Sequence, residues 1–343
     1  MKVLVIGGTG VISREVVKQL AEANHHVIVF SRGNKKETLF QDKVEHIYGD
    51  KGQKQTFMEQ MHEVDVEIVI DMISFHEEDA RTTLEAFSSK AEQIIFTSSV
   101  AAYQRPYPFL PAREAQLSLT KDPSFRYAYE KAEMERYLQQ KIKEESLPIT
   151  IIRPSLTFGV GGMNVGVLRQ NVNIVHRIEQ GKPLVLFGDG TTPWNFTFVP
   201  DLAKAYVGLV GNKEAYGEDF HITNEEHSTW KDLYEAFGKA VHKEPEIVYI
   251  PSSWLYEVNT SLFDHIYYEK CYAGLFDNAK LRKVLPDYEA TISLEKGIQM
   301  MVQWYKAEQK LVDQKKAWLE DLLVAFHHDS LVQIKNIGKE NAR

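Results

Sequence analysis

Cysteine is nearly missing from this chain: Cys271 stands alone among 343 residues. That excludes an internal disulfide and a cysteine-based zinc site, and it fits a reducing compartment. Adjacent histidines occur at His25-His26 and His327-His328, but neighbouring side chains diverge and no carboxylate cluster completes a site, so no metal is expected. Positive charge is not in excess. Forty Lys and Arg face 48 Asp and Glu, a formal net charge of −8, which argues against a diffuse basic surface for nucleic acid. No apolar run approaches the ~20 residues needed to cross a bilayer. The opening MKVLVIGG reads as a buried strand, not as a signal peptide, so a cytoplasmic protein without membrane contact is expected. The 20 glycines and 12 prolines gather into no linker, and no internal repeat is visible.

What is present is a β-α alternation. Short β-branched runs at Val3–Ile6, Val27–Phe30, Val44–Tyr48, Val66–Asp71, Gln93–Thr97 and Ile149–Arg153 alternate with helical patterns at Ile12–Ala23, Phe57–Glu63, Glu78–Lys90 and Tyr127–Glu145. Continuous apolar strands separated by amphipathic helices signal parallel βαβ units. The fold class expected is α/β: a Rossmann doubly wound parallel sheet with a smaller C-terminal α/β lobe. Residues 1–158 read as the dinucleotide-binding domain, with segments returning from the second half. Residues 159–325 read as the lobe and C-terminal helices, and 326–343 as a polar tail open to disorder. In the second half, helices are expected at Val167–Gln180, Asp201–Val210 and Trp230–Val241, with a strand-like Pro183–Phe187.

Gly7-Gly8-Thr9-Gly10-Val11-Ile12-Ser13 follows the first strand and opens the first helix. Glycines let a backbone approach a pyrophosphate, whose charge the helix N-terminal amides favour. Gly7, Thr9, Gly10, Val11 and Ile12 are therefore cofactor-contact candidates. Ser13 stands where the dinucleotide fingerprint has its third glycine. The second strand ends in Ser31-Arg32-Gly33 with no carboxylate. A hydroxyl and a guanidinium suit a 2′-phosphate better than a ribose diol, so NADP is preferred over NAD. Asp50, after the third strand, is a candidate adenine contact. Met72, Ile73 and Ser74, after the fourth, are expected to line the adenosine side.

The fifth strand ends in Thr97-Ser98-Ser99-Val100-Ala101-Ala102-Tyr103, and Tyr127-Ala128-Tyr129-Glu130-Lys131 follows inside a helical stretch. Tyr127 and Lys131 are four apart and share a helix face. A neighbouring ammonium favours phenolate, so Tyr127 suits proton exchange with a substrate hydroxyl during hydride transfer. Ser99 can hydrogen-bond the same oxygen, Lys131 can hold the nicotinamide ribose, and Thr97 joins the cofactor contacts. Spacing alone is weak evidence. The order, after a Gly-rich turn and a serine-ended strand, gives it value.

The succession GGTGVIS, TSSVAAY, YAYEK, RPSLTFG and GDGTTPWNFTFVPDLA resembles the NAD-dependent epimerase/dehydratase family, the extended short-chain dehydrogenases typified by UDP-galactose 4-epimerase. The resemblance covers residues 1 to about 305. It implies Ser99, Tyr127 and Lys131 as catalytic residues, Pro154 beside the nicotinamide, substrate binding by the lobe from Gly159, and a homodimer through a helical bundle containing the Tyr127–Glu145 helix. It also implies a small-molecule substrate, a sugar or nucleotide sugar, with Ser99, Val100 and Trp194 on the substrate side. Val100 and Ala101 occupy positions where the family's 4,6-dehydratases carry Asp-Glu. Ala101 likewise replaces the decarboxylases' Glu and the fucose-synthase type's Cys. What remains is oxidation or reduction of one alcohol, with or without re-reduction from the opposite face. Trp194 takes the place of an Arg that grips the diphosphate in nucleotide-sugar enzymes. It offers a stacking surface or is core, and Arg169, Arg177 and Lys182 are possible compensating charges. A rival reading is an RNA-binding or dinucleotide-sensing protein on the same fold, like the chloroplast stem-loop RNA-binding proteins. The acidic charge and the full catalytic set stand against it.

Overall fold

A computed structural model describes residues 1–33, 44–161 and 165–340, apart from the side chains of 338–340. The chain opens with β1 (Lys2–Ile6), α1 (Val11–Glu22), β2 (His26–Ser31), β3 (Val44–Tyr48), α2 (Lys54–His62), β4 (Ile68–Asp71), α3 (Glu77–Phe87), β5 (Gln93–Thr97), α4 (Arg126–Glu145) and β6 (Ile149–Pro154). It continues through β7 (Leu156–Phe158), α5 (Val172–Gln180), β8 (Leu184–Phe187), β9 (Pro193–Trp194), β10 (Phe196–Phe198), α6 (Val199–Leu209) and β11 (Asp219–Ile222). It closes with β12 (Ser228–Thr229), α7 (Trp230–Val241), β13 (Ile247–Ile250), α8 (Ser252–Val258), α9 (Thr260–His265), α10 (Ala279–Val284), α11 (Leu294–Ala307) and α12 (Gln314–Glu340).

The chain divides into two compact units. The first holds Met1–Thr157, Asn195–Glu225 and Leu275–Thr291. Its seven strands run β11-β6-β5-β4-β1-β2-β3, every adjacent pair parallel. This is the doubly wound order, with the reversal between β1 and β4. Both faces are covered. Val16, Leu20, Leu202, Tyr206 and Leu281 close one side over Val3, Val5 and Ile70. Phe57, Leu84, Met134 and Leu138 close the other over Leu4, Ile6 and Val69. Burial on both faces is why these strands read as unbroken apolar runs instead of alternating ones.

The second unit holds Phe158–Trp194, Glu226–Gly274 and Ile292–Arg343. In it β8 pairs parallel with β13, from Leu184 opposite Ile247 to Phe187 opposite Ile250. Helix α5 starts at Val172, five residues later than the pattern suggests, because Gly166 N–H and Val165 N–H are tied to the Asn171 side chain in a non-helical turn. The polar tail expected from 326 on is helical instead: α12 runs unbroken to Glu340, and 341–343 lie outside the described residues. Its local composition allows helix, since neither Pro nor any interior Gly before Gly338 interrupts it. No helix among the described residues is long and apolar enough to cross a membrane.

Candidate active site

The chain leaves β1 through Gly7 at φ +82°, where an added Cβ would stand 2.3 Å from Ile73 Cγ2. Only glycine meets both the backbone and the space. Ser13, in the place of a third glycine, is buried and locks this turn. Its Oγ accepts from Gly10 N–H at 2.8 Å and donates to Gly7 O at 2.7 Å. Helix α1 then starts at Val11, and its first amides have no intrahelical acceptor. A cleft of about 590 Å³ opens here. Gly7, Thr9 and Gly10 form one wall, Ser31 and Arg32 at the end of β2 another, and Asp50 and Ile73 a third. Seven of the cofactor candidates thus meet in one space. The side chains of Val11 and Ile12 do not line it, and Ile12 packs against the core beneath α1, which leaves only their amides toward the turn. Arg32 is exposed and Ser31 buried. Gly7 and Gly10 leave this wall of the cleft as bare backbone, the feature that close approach of a pyrophosphate requires.

The catalytic candidates come from the strand ends on the far side of β1. Tyr127 sits in the first turn of α4 and is 40% exposed, whereas Lys131, one turn on, is 2% exposed. The Lys131 ammonium donates to Ser74 O at 2.5 Å and Thr97 O at 2.7 Å, the chain just beyond β4 and the end of β5, and lies over the Phe75 ring. Burial pulls its pKa down to about 8, against the upward pull of Asp71 and Glu135. Ser99 is half-buried, and its Oγ accepts from Ala101 N–H at 3.1 Å, capping the 3-10 turn Val100–Ala102. That bond uses a lone pair, so the hydroxyl hydrogen is left to donate. Thr97 Oγ1 contacts Met72 Sδ at 3.1 Å and the Tyr206 hydroxyl at 2.8 Å. Pro154 ends β6, buried, in register with Ile222.

Two substrate-side expectations need correction. Val100 is 1% exposed, held in the cluster with Tyr103, Ala112 and Phe276. Trp194 is 0% exposed, its ring seated on Gly274, where an added Cβ would stand 2.4 Å away, and covered by the Lys270 ammonium. It is core, and neither side chain presents a face to a ligand. The compensating charges are engaged as well: Arg177 is buried against Asp321 at 2.7 Å and Arg169 pairs with Asp264 at 2.9 Å.

Two buried polar clusters escaped the sequence reading. Lys51, on the cleft wall, donates to Asp71 Oδ2 at 2.6 Å and to Ser74 Oγ at 2.8 Å. Burial would raise the Asp71 pKa, but Lys51, Thr83 and Ser74 together hold it below the ordinary carboxylate value. An acid closing the apolar run EIVID was the available signal. The second cluster joins Ser98, Glu135, Arg153 and Tyr103 behind the strand ends. Tyr103 accepts from Arg153, so its own hydrogen goes to His221 Nε2 at 2.8 Å, and burial takes the His221 pKa down to about 3. Glu135 lies four residues beyond Lys131, a spacing that could have revealed it. Among the described residues no group of three or more His, Cys, Asp or Glu could hold a metal ion.

Residues 3–223 match the NAD dependent epimerase/dehydratase family. The 2′-dehydrokanamycin reductase of Streptomyces kanamyceticus is 25% identical over 297 residues, which cover 84% of this chain and 80% of the relative. The chloroplast stem-loop binding protein of 41 kDa b of Arabidopsis thaliana is 29% identical over 261 residues, 72% of this chain and 65% of that protein. Among solved structures, the UDP-glucose 4-epimerase of Thermotoga maritima superposes with a TM-score of 0.73 at 20% identity, covering 90% of this chain and 100% of that one.

Proposed function

Because this chain belongs to the NAD-dependent epimerase/dehydratase family, we propose that it is an NAD(P)-dependent oxidoreductase or epimerase. Its substrate is a secondary alcohol, or the matching ketone, of a sugar or sugar-nucleotide-like molecule. The observation that carries this reading is the placement of Lys131. A buried ammonium stands one helical turn from the exposed Tyr127 ring, held in place by the carbonyls of Ser74 and Thr97 with one N–H to spare. Its natural role is to stabilise negative charge on a neighbouring oxygen.

In this reading Tyr127 Oη takes the hydroxyl proton in the oxidative direction and returns it in reduction. Lys131 stabilises the phenolate that takes this proton and re-forms when it is returned, and its unspent N–H can hold the cofactor ribose. Ser99 donates its free hydrogen to the reacting oxygen, fixing the substrate against Tyr127. The nicotinamide, when bound, supplies hydride acceptance or donation. Gly7, Thr9 and Gly10 hold the pyrophosphate, with the first amides of α1. Asp50 and Ile73 flank the adenosine, and Pro154 and Thr97 border the nicotinamide. Arg32, exposed at the cleft wall with no carboxylate beside it on β2, favours NADP.

Likeness to a reductase of 2′-dehydrokanamycin supports release of product over internal recycling. Replacement of the family's diphosphate-gripping Arg by the buried Trp194 supports a substrate without a nucleotide. The reading includes a cytoplasmic homodimer, with α4 in the interface as the family resemblance implies. The test begins with the purified protein: native mass and absorbance for bound dinucleotide, then titration with NADP and NAD. Turnover is then sought on keto-sugars with NADPH and on UDP-sugars, with Tyr127→Phe as control. NADPH-dependent reduction lost in Tyr127→Phe, with cofactor affinity kept, supports the reading. Tightly retained NAD overturns the NADP preference, and binding of neither dinucleotide overturns the whole.

A further inference from the structure

The C-terminal helix α12 spans 27 residues. Its first half packs on its own unit, where Leu323 and Val324 are buried at 4% and 8%. From Leu331 to Ile337 every residue is exposed. A helical segment of this length exposed to water is marginal by itself.

The apolar stripe does not stop where the helix loses its own unit. Leu319, Leu322, Leu323 and Phe326 line a groove of about 440 Å³ together with Trp254, Val258 and the exposed Glu257 of α8, the one charge on its rim among the lining residues. At the same three- and four-residue spacing the stripe continues through Ser330 to Ile334 and Ile337, both 59% exposed. From Leu319 to Ile337 this face carries no charge. The stripe is also symmetric in sequence about Ser330: Phe326 and Ile334 lie four residues to either side, Leu323 and Ile337 seven. Ser330 Oγ donates to Phe326 O at 2.9 Å, so its hydroxyl is satisfied within the helix and only a small side chain marks the centre.

We propose that α12 is a self-association surface, on which two copies of this chain pair their C-terminal helices antiparallel about a two-fold axis at Ser330. A two-fold contact must be self-complementary, and a stripe symmetric about one residue meets that condition. Phe326 of one copy meets Ile334 of the other, and Ile337 enters the groove beside Trp254 and Val258. Phe326, Leu322, Ile334, Ile337, Trp254 and Val258 are each about half exposed. Covering them fully in both copies removes on the order of 1,000 Å² of apolar surface, the threshold that a specific interface has to clear. Charge argues for the same occupant. Between 314 and 337 the helix holds Lys315, Lys316 and Lys335 against Glu320, Asp321 and Asp329, with no cationic face for an anionic lipid surface. The surface is distinct from α4, and the proposal does not depend on the enzymatic reading.

The full-length protein is measured by light scattering across a concentration series, beside Ile334→Glu and Ile337→Glu. Each variant is expected to halve the mass while far-ultraviolet dichroism and the melting transition of the core persist. In a Cys271→Ser background, Ser330→Cys is expected to form a disulfide-linked dimer under mild oxidation, lost when Ile337→Glu is added. Lys315→Cys, far from the axis, is expected to form none. Unchanged mass in both variants, absence of the Ser330→Cys cross-link, or flotation of the wild-type chain with neutral or anionic vesicles through α12 would each overturn the proposal.

Discussion

Arg153 Nε reaches both carboxylate oxygens of Glu135, at 3.0 and 2.8 Å, with the two side chains 1% and 0% exposed. The pair ties the end of β6, which carries Pro154, to the face of α4 that carries Lys131. Ser98 joins it from the end of β5. Three elements that bear candidate catalytic or cofactor-side residues are thus fastened at one buried point.

A buried pair loses most when one partner is removed, because the other charge is left without compensation. Arg153→Met is therefore expected to lower the stability of the first unit by about 3–5 kcal/mol. The double variant Arg153→Met, Glu135→Leu removes both charges and is expected to recover a good part of that loss. Urea unfolding of the three proteins checks this. A double variant as unstable as Arg153→Met would show that the loss comes from the hydrogen bonds to Ser98 and Tyr103 or from Asp219, which Arg153 also pairs with at 2.6 Å, and not from an uncompensated Glu135.

Lys131 titrates at about 8, well below its ordinary 10.5. Loss of the ammonium as pH rises through 8 removes the charge that supports the Tyr127 phenolate, so turnover is expected to fall on the alkaline side with a midpoint near 8. Stability moves the other way. Between pH 8 and 10.5 the unfolded chain binds more protons than the folded one at this position, so stability rises with pH across that window. Lys131→Met is expected to remove both effects. A turnover profile flat between pH 7 and 9.5 in the wild type would remove Lys131 from the chemistry.

Arg32 is exposed on the cleft wall, and the end of β2 holds no acid. A guanidinium-phosphate contact of about 1.5–3 kcal/mol corresponds to roughly 10- to 100-fold in affinity. Arg32→Asp is expected to weaken NADP by that factor and to strengthen NAD, since a carboxylate can accept from the ribose diol. Calorimetric titration with both cofactors is the check. An unchanged NADP/NAD ratio would show that Arg32 does not read the 2′-phosphate.

The sheet and the phosphate turn were legible because local chemistry dictates them: apolar runs for strands buried on both faces, and a glycine where Ile73 leaves no room for a Cβ. Tyr127 and Lys131 were legible by helical spacing. The Lys51–Asp71 pair was not, since it joins residues from different strand ends that only the parallel register brings together. Ser13 looked like a blemish in a glycine motif, yet its hydroxyl closes the turn with two hydrogen bonds. Trp194, by its place after a Gly-Asp-Gly turn, read as a stacking surface or as core. Burial decides for core, and burial of a tryptophan depends on residues such as Gly274 and Lys270, far away in sequence. The tail failed for a further reason. Polarity suggested disorder, but Leu319, Leu323, Phe326, Ile334 and Ile337 of α12 recur at helical spacing, with Trp318, Leu331 and Val332 exposed off that stripe, and such a recurrence is a better guide than mean composition.

Glu320, in α12, offers a test of how this helix is anchored. It is 0% exposed, accepts from Val185 N–H at 3.0 Å, and burial raises its pKa from 4.5 to about 7 against the pull of Val185 and Arg177. Between pH 4.5 and 7 the folded chain therefore binds more protons here than the unfolded one. Stability from this group is greatest below 4.5 and declines as pH rises to 7. Glu320→Gln keeps an acceptor for Val185 but cannot ionise. At pH 8 it is expected to be more stable than wild type by roughly 1–3 kcal/mol, with the difference vanishing near pH 4.5. Thermal melts of both proteins at the two pH values read the effect directly. A difference of the same size at both would mean that Glu320 stays charged in its pocket, and that Arg177 at 3.6 Å compensates it fully.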